Sequence, residues 1–484
     1  MNIDAKTTII NTLWSLFTRF SSLFIEFSVQ IILARYFLLP KDVGAMAIIM
    51  IFIAFGRVFI HSGLGQALIQ KESISEIEKT SIFYINLVIG LFLTILLFVL
   101  SKPISVFYNQ PILIPILKVV SIYFILNSLV IVQDSILTRN LKFKVKFYIN
   151  IISQILTSVI TIYLGYIGLG IWVLVSHLLF AIFFRVLLLW IFSSWRPILA
   201  FDWEKSKSIF SFGIGILCAS FTTVFRLNII PIIVGKYSNI SEIGYYKKAN
   251  DIQNVSSKLF TTSIQNVLFP VFSKMQNDIK VLSSSLRKTI SYLFFIITPV
   301  MLFLSINSED IIILILTEKW ILSSSYLKLV SILGILYPLQ MMNLNALKSI
   351  GKSNNFMISS ISWDVLSILT IFYIAYTTNG NIESMIIGQI FITLICYIFN
   401  VYFNGTYYGY DLFNQIKDLT PLFIINFIFY LLMIVIPVSI STYLSIDILF
   451  KLFIGLCIYL SLTFFFKKEL LSDIFYKTKS ILGE

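Results

Sequence analysis

The chain has 484 residues, of which 58% are hydrophobic, 16% aromatic and only 12% charged. Soluble globular domains usually carry roughly 25% charged residues, so this composition excludes a fold whose surface is covered by water. Apolar runs such as Ile82–Leu100 and Leu452–Phe466 approach the ~20 residues that cross a bilayer as a helix, about twice the length of a β-barrel strand. The composition therefore predicts an all-α polytopic membrane protein.

The excess of basic residues, a formal net charge of +13, does not indicate nucleic-acid binding, because no soluble basic domain accompanies it. Basic residues of membrane proteins collect in cytoplasmic loops, where they meet anionic membrane lipids. The cysteines, Cys218, Cys396 and Cys457, lie far apart within apolar segments. We interpret them as small packing residues, so no disulfide, metal site or cofactor is expected.

The first predicted helix follows a short polar start, Met1–Thr8, and shows no cleavage signature, so it is expected to stay as an anchor. From there to the C-terminus, apolar windows broken at Gly, Pro, Asn and charged residues predict about 14 membrane-spanning helices. Segment 306–320 is predicted to be a short interfacial helix. The predicted spans are 10–36, 43–69, 80–101, 112–135, 147–166, 171–193, 208–235, 246–271, 288–306, 321–347, 355–377, 382–403, 420–440 and 444–466.

Alternate loops differ strongly in charge. One set, which includes both chain ends, holds about three times as many Lys and Arg residues as the other. The rule that cytoplasmic loops are the basic ones therefore places both termini in the cytoplasm. After Lys467, apolar residues recur at helical spacing among charged ones, which favours an amphipathic helix on the inner membrane surface. A partly disordered end remains the alternative for this tail.

Two pairs of segments resemble each other at an offset of about 200 residues. One pair follows helices one and seven and consists of Ala34–Gly44 and Gly235–Gly244. Both segments contain, in the same order, a small residue, a basic residue, Tyr, a short loop, an acidic residue, an aliphatic residue and Gly. Leu137–Lys142 and Leu347–Lys352 follow helices four and ten in the same way. An even number of helices in each copy makes the repeats parallel, related by an axis along the membrane normal.

The repeats define the predicted domain organisation. Two six-helix lobes in a pseudo-twofold, V-shaped arrangement are expected, with two extra C-terminal helices. In secondary transporters of this build, the substrate binds between the halves, and the halves rock to expose it to each side in turn. The expected domains are an N-lobe at 1–194, a C-lobe at 195–405, the extra helices at 406–466 and a cytoplasmic tail at 467–484.

Charged residues within the predicted spans concentrate in helices 1, 2, 7 and 8. Arg19 and Glu26 lie on one face of helix one, and Arg57 and His61 on one face of helix two. Helix seven contributes Arg226. A charge inside a bilayer costs at least ~2.5 kcal/mol on insertion scales, so such residues are expected at a wet cavity or beside a partner.

Helix eight carries Asp251, Asn254 and Lys258 at helical spacing. Together these helices predict a cationic cavity of Arg19, Arg57, Arg226 and Lys258, which suits phosphate because guanidinium groups bind it with paired hydrogen bonds. Structural ion pairs, Arg19 with Glu26 and Asp251 with Lys258, are the alternative. For Arg185 and Asp134, in helices six and four, cavity and structural roles both remain open.

Coupling to an ion or proton would need a titratable group in the cavity. Glu26 and Asp251 are the carboxylate candidates, and His61 is a candidate that could equally be a packing residue. The sequence has no metal-ligand spacing, no phosphate-binding Gly loop and no nucleophile elbow. Its loops are too short for a catalytic domain, so a transporter without catalytic residues is expected.

Three motifs resemble a known family of exporters. Gly63–Gln70 resembles the Gly-Leu-Gly-x-Ala-Leu pattern of polysaccharide exporters, and Leu268–Asp278 resembles their Phe-Pro-x-Phe-Ser segment, with Met275 in place of Leu. Trp195-Arg196-Pro197 resembles their link into helix seven. The chain thus resembles the Wzx-type polysaccharide flippases of the multidrug/oligosaccharidyl-lipid/polysaccharide exporter superfamily over nearly its whole length.

The resemblance implies a 12-helix V-shaped core that moves undecaprenyl-pyrophosphate-linked oligosaccharide from the cytoplasmic to the periplasmic leaflet of the bacterial inner membrane. It implies that Arg19, Arg57 and Arg226, which match the family by helix rather than by strict motif, contact the pyrophosphate. An H⁺ or Na⁺ gradient is the expected energy source. The expected partners are the lipid-linked oligosaccharide, the membrane lipids and the polysaccharide polymerase machinery.

Three other functions compete with this interpretation. A multidrug or toxin antiporter of the same superfamily would need a more acidic cavity for its cationic substrates. A lipid II flippase would share the cationic cavity and the extra helices, and only the local motifs favour the polysaccharide branch. An O-antigen polymerase or ligase would need a sizeable periplasmic loop with Arg or His, whereas the loop around 305–320 is short and acidic.

Overall fold

The structure, a computed structural model, describes residues 5–61, 64–71, 73–237, 239–275, 278–350, 353–435, 444–468 and 472. Over 208–219 and 258–271 the description covers the backbone alone. Within these ranges all regular elements are helices and no strand occurs, so the predicted all-α class is confirmed. The amphipathic tail predicted after Lys467 lies almost wholly outside the described residues.

Twelve helices in the described part of the chain are long and apolar enough to cross a membrane. Two others, Trp203–Tyr237 and Ile240–Lys274, are each 35 residues long and lie where spans seven and eight were predicted. They are not among the twelve, so the count of about 14 stays a prediction. The twelve ranges are Ile10–Phe37, Pro40–His61, Glu76–Tyr108, Leu113–Arg139, Phe143–Tyr166, Ile171–Phe192, Ile279–Ile306, Ser323–Leu347, Met357–Thr377, Ile382–Tyr408, Leu412–Val435 and Leu444–Phe466.

Residue contacts divide the chain into two compact units, Met1–Gly244 and Tyr245–Glu484. The helix of predicted span seven therefore packs with the first unit, although the sequence repeat assigns it to the second copy. The helices of the first unit are α1 (Ala5–Ile32), α2 (Pro40–His61), α3 (Leu64–Gln70), α4 (Glu76–Tyr108), α5 (Leu113–Val120), α6 (Ile122–Ser128), α7 (Ile131–Arg139), α8 (Phe143–Tyr166), α9 (Ile171–Phe192) and α10 (Trp203–Tyr237).

Helix α2 is the centre of the first unit. It packs against α4, α6, α9 and α10, and isoleucines such as Ile48, Ile49 and Ile53 are fully buried there. A helix that is apolar on all sides is expected in the interior of a bundle. The burial of α2 thus makes Arg57 and His61, near its C-terminal end, exceptions on an otherwise apolar helix.

Predicted span four, which corresponds to Leu113–Arg139, contains two breaks that divide it into α5, α6 and α7, and serine and threonine hydroxyls bond to carbonyl oxygens at these breaks. Thr94 on α4 donates a hydrogen bond to the carbonyl oxygen of Ser121 (3.0 Å), which also accepts from the Phe124 amide (3.1 Å) at the break between α5 and α6. The hydroxyl of Ser128 donates to the carbonyl of Ile125 (2.7 Å). Such side chains compete with the backbone and bend helices. The break places α7, with Asp134, as a separate element.

The second unit contains α11 from residue 245 onwards and seven further helices. Helix α14 is its centre, packed against α12, α15 and α16. The short helix predicted within 306–320 is present as α13, followed by a 3₁₀ turn, Glu318–Trp320, and its interfacial position stays a prediction. The bounds are α11 (Ile240–Lys274), α12 (Ile279–Ile306), α13 (Ser308–Leu316), α14 (Ser323–Ser349), α15 (Ser353–Thr377), α16 (Ile382–Tyr408), α17 (Leu412–Val435) and α18 (Leu444–Phe466).

Helix ends follow the capping residues of the sequence. Ser75 and Glu78 form a capping box at the start of α4, with Glu78 Oε2 accepting from the Ser75 amide (2.8 Å) and Ser75 Oγ from the Glu78 amide (3.3 Å). Asn381 caps α16 by accepting from the Ser384 amide (2.8 Å). Gly409 ends that helix in the left-handed region (φ 69°), which glycine adopts at little cost.

A layer of amide side chains joins α14, α16 and α17 in the second unit. Asn404 Nδ2 and Gln415 Nε2 both donate to Asn343 Oδ1, at 2.5 and 3.0 Å. The Tyr397 hydroxyl donates to Gln415 Oε1 (2.7 Å). The three amides are fully buried, and such a paired network stabilises only this register of the helices. Helix α17, one of the two extra C-terminal helices, is thereby tied to the bundle.

Candidate functional site

The first pair of predicted site residues, Arg19 and Glu26, lies on α1, and both side chains are exposed. Arg19 forms no ion pair with any residue that the structure describes. The alternative in which Arg19 and Glu26 lock together as a structural pair is therefore not supported. Arg19 therefore carries a charge that no acidic side chain in the described ranges pairs with.

Arg57 and His61 lie one turn apart near the C-terminal end of α2, and both are exposed. The His61 ring nitrogen Nε2 is 3.4 Å from Asn127 Nδ2, which connects α2 to α6. The charged groups that act electrostatically on His61 are Arg57, Arg185 and Asp134. Three elements thus contribute charge at the same end of α2.

Asp134 on α7 is the acidic centre of this group. Its Oδ2 accepts from Lys146 Nζ on α8 (2.9 Å), and its Oδ1 accepts from Arg185 Nη2 on α9 (3.3 Å). Lys146 also donates to the Thr138 hydroxyl (2.7 Å). We call Arg57, His61, Asp134, Lys146 and Arg185 the Asp134 cluster.

The Asp134 cluster is cationic, because its two arginines and one lysine outnumber its single carboxylate. Two of its members, Arg57 and His61, were predicted site residues. The roles of Arg185 and Asp134 were left open by the sequence, which did not single out Lys146 as a site residue. One sequence signal could have located part of the cluster. Asp134 lies at the end of predicted span four and Lys146 just before span five, and two such residues can meet across a helical hairpin.

Arg226 lies on α10, beside an aromatic contact with α2. Phe55 of α2 packs against Phe221 and Phe225 of α10, with ring centroids 5.2 and 5.9 Å apart. Arg226 follows Phe225 and is half-buried. The structure therefore packs the helices of Arg57 and Arg226 against each other in the first unit, and their place at a cavity stays a prediction.

The remaining predicted residues belong to α11 in the second unit. Asp251 forms an ion pair with Lys247, one turn earlier on the same helix. Asn254 Nδ2 donates to the carbonyl of Asn250 (2.8 Å), which is also a bond within its own helix. The side chain of Lys258 lies outside the described part of the chain. Asp251 thus has a partner on its own helix, Lys247, that the sequence had not indicated, and its pairing with Lys258 stays a prediction.

Among the described residues, no group of three His, Cys, Asp or Glu side chains is arranged to hold a metal ion. The chemistry that the first unit offers is recognition of an anion. Guanidinium groups that lie in a low-dielectric surrounding bind phosphate oxygens more strongly than they would in water.

Solved membrane transporters share the fold of this chain. The structure of a lipid II flippase, MurJ, in an inward closed conformation aligns with a TM-score of 0.76 at 19% identity, covering 96% of this chain and 100% of that one. An inward-facing multidrug resistance MATE family transporter of the MOP superfamily aligns with a TM-score of 0.64 at 13% identity, covering 80% and 95%. The chain is therefore a multi-pass membrane protein with the fold of these transporters.

Sequence comparison assigns the family. A family model described as "Polysaccharide biosynthesis protein" matches residues 32–325. This is more than half of the chain, and the chain belongs to that family. The succinoglycan biosynthesis transport protein ExoT of Rhizobium meliloti is 26% identical over 338 residues, 69% of this chain and 68% of that protein. The lipopolysaccharide biosynthesis protein WzxC of Escherichia coli is 25% identical over 311 residues, 60% of each. The predicted resemblance to Wzx-type proteins is confirmed.

Proposed function

We propose that the chain is a flippase that moves undecaprenyl-pyrophosphate-linked oligosaccharide from the cytoplasmic to the periplasmic leaflet of the bacterial inner membrane by alternating access. The observation that carries the proposal is the cationic Asp134 cluster within a bundle of apolar helices. A substrate with a negatively charged head suits such a group, and the cost of keeping charges there is offset when they bind it. The family and its named relatives support polysaccharide biosynthesis as the pathway.

The multidrug antiporter is the less favoured function. Its cationic substrates would be repelled by Arg57, Lys146 and Arg185, which outnumber the carboxylate of Asp134. The likeness to MATE transporters is at 13% identity, so it concerns the fold alone. A lipid II flippase would use the same diphosphate chemistry, and the likeness to MurJ also concerns the fold alone. The relatives named for succinoglycan and lipopolysaccharide biosynthesis favour a polysaccharide precursor instead.

Reconstituted transport tests the proposal. Purified protein in vesicles is given a fluorescent undecaprenyl-pyrophosphate oligosaccharide, and exchange between leaflets is followed, with a cationic dye and lipid II as competing substrates. We expect exchange of the oligosaccharide lipid and a loss of about tenfold in Arg57→Gln, because one charge-assisted phosphate contact contributes roughly 1.4 kcal/mol or more.

Lys102→Gln is the matched control, since Lys102 is an exposed cation on α4, outside the Asp134 cluster. It should exchange the oligosaccharide lipid at the wild-type rate. Exchange of the dye alone would assign the chain to the antiporters, and preferential exchange of lipid II would assign it to the lipid II flippases. Imposing a proton or sodium gradient in the same vesicles identifies the coupling ion.

A further inference from the structure

The two cations that contact Asp134 hold it with unequal strength. Lys146 is anchored on both sides, by Asp134 Oδ2 at 2.9 Å and by the Thr138 hydroxyl at 2.7 Å. Arg185 reaches Asp134 through one nitrogen at 3.3 Å, longer than the usual range for a charge-assisted hydrogen bond. The Lys146 side chain is 18% exposed and that of Arg185 38%. Arg185 is thus the outer and more weakly held partner.

Arg185 also has unused donor capacity. A guanidinium carries five N–H donors in a planar fork that matches two oxygens of a phosphate. Of these donors, one nitrogen contacts Asp134, and no other hydrogen bond joins Arg185 to a residue that the structure describes. The side chain could therefore form the paired contact with a phosphate that it does not form with Asp134.

Lys146 lowers the cost of releasing Arg185. Removing one partner from a buried ion pair is normally costly because it leaves the other charge uncompensated. When Arg185 leaves, Asp134 keeps the bond to Lys146. The three residues come from α7, α8 and α9 in the first unit, so the exchange requires no movement between helices, only a change of rotamer at Arg185.

We propose that Asp134 competes with the phosphate groups of the substrate for Arg185. Asp134 binds Arg185 when the site is empty, and Arg185 moves to a diphosphate when one binds. Lys146 then neutralises the carboxylate of Asp134. Asp134 and Lys146 are positioning residues that act through Arg185. The identity of the diphosphate as a lipid head group rests on the proposed function, whereas the exchange itself concerns any diphosphate anion. Arg57 and His61, on α2, border the same position.

Binding of inorganic pyrophosphate to the purified full chain, measured by calorimetry at low ionic strength, tests the exchange. Arg185→Gln and Lys146→Gln should each weaken binding by about tenfold, and Asp134→Asn should strengthen it by a similar factor. A simple change of net charge would give the same signs, so the double variant decides. In the Asp134→Asn background, Lys146→Gln should change the affinity by less than about twofold, because Lys146 acts only through Asp134.

Lys142→Gln is the matched control, because Lys142 is an exposed lysine just before α8 and has no contact with Asp134. It should leave pyrophosphate binding unchanged. Three outcomes would each overturn the proposal. They are an equal effect of Lys146→Gln in both backgrounds, weaker pyrophosphate binding in Asp134→Asn, and no pyrophosphate binding by the wild-type chain. Thermal unfolding without pyrophosphate checks that each variant is folded. If Asp134→Asn does not fold, Arg185→Lys serves instead: it keeps the charge but loses the fork, and unchanged binding would contradict the exchange.

Two further arms separate the sources of the anion. Nanodiscs containing undecaprenyl pyrophosphate should compete with inorganic pyrophosphate, and nanodiscs containing only phosphatidylglycerol should not. Competition by phosphatidylglycerol would overturn the selectivity for a diphosphate. If pyrophosphate binding and the double-variant result are as expected but the oligosaccharide lipid does not move between leaflets, the anion site is supported and the proposed function is wrong. If the oligosaccharide lipid moves but the binding results are not as expected, the flippase function is supported and the change of partner at Arg185 is wrong.

Discussion

Arg287 is a single side chain that joins two helices of the second unit. From α12 it donates through Nε and Nη2 to both carboxylate oxygens of Asp418 on α17, at 2.8 and 2.7 Å. Its guanidinium also lies over the ring of Tyr410, 5.3 Å from the centroid. Two parallel bonds and a ring contact fix the position of α17 in a way that a point charge could not.

Replacing this residue by lysine tests the importance of the fork. Arg287→Lys keeps the charge but can form one bond where Arg287 forms two, so we expect the free energy of unfolding to fall by about 1 kcal/mol or less, given the partial exposure of the pair. Thermal unfolding in detergent measures the change. The neighbouring exchange Lys288→Arg, at an exposed position, is the control. An equal effect of the two exchanges would contradict a specific role for the Arg287 fork.

The N-terminal ends of helices α2 and α11 meet at a pair of glycines. A Cβ atom added to Gly44 would lie 1.8 Å from the carbonyl oxygen of Ile240, and one added to Gly244 would lie 2.0 Å from the carbonyl oxygen of Pro40. The two close approaches are equivalent by position, since residues 44 and 244, like residues 40 and 240, are 200 apart. These are the segments that the sequence paired as a repeat.

A side chain at either glycine should separate the two helix ends. We expect Gly44→Ala and Gly244→Ala each to lower the free energy of unfolding by about 1–3 kcal/mol, because the methyl group meets rigid backbone. Thermal unfolding of the purified variants measures this. Gly455→Ala is the control, since its added methyl would meet the flexible side chain of Met433 at 3.3 Å. Wild-type stability in both Gly44→Ala and Gly244→Ala would show that the contact is not close-packed.

The topology of the whole molecule depends on α10 and α11, because the chain has 14 membrane crossings if both helices cross and twelve if neither does. If both cross, residue Asn239 between them lies outside the cell; if neither crosses, it lies on the same side as Lys280. Both cases leave the other loops and both termini on the same sides, so only this loop distinguishes 14 spans from twelve. The repeat and the basic loops on either side favour the crossing of both helices.

Cysteine accessibility tests this topology. The background variant has Cys218, Cys396 and Cys457 replaced by Ser. In cells whose outer envelope is permeable but whose inner membrane is intact, Asn239→Cys should react with an added membrane-impermeant maleimide. Lys280→Cys should react only after the inner membrane is opened. Protection of Asn239→Cys in intact cells would remove both crossings, and external reaction of Lys280→Cys would reverse the predicted orientation.

The sequence by itself determined the membrane class, the all-α fold, the family and the position of most helices. These properties follow from local composition: apolar runs of bilayer length, capping residues such as Ser75 and Asn381, and short motifs. It also placed Arg57 and His61 on one helix face, since that depends only on their spacing of four residues.

The tertiary structure decided which charges meet. Arg185 is 51 residues from Asp134 along the chain, and no local pattern pairs them; α7, α8 and α9 must pack before the carboxylate has two cations. The hydrogen bond from Thr94 of α4 to the Ser121 carbonyl, at the break between α5 and α6, likewise joins residues 27 positions apart along the chain. Local periodicity predicts which residues are helical, but only packing determines which side chains lie within the few ångströms over which charges recognise each other.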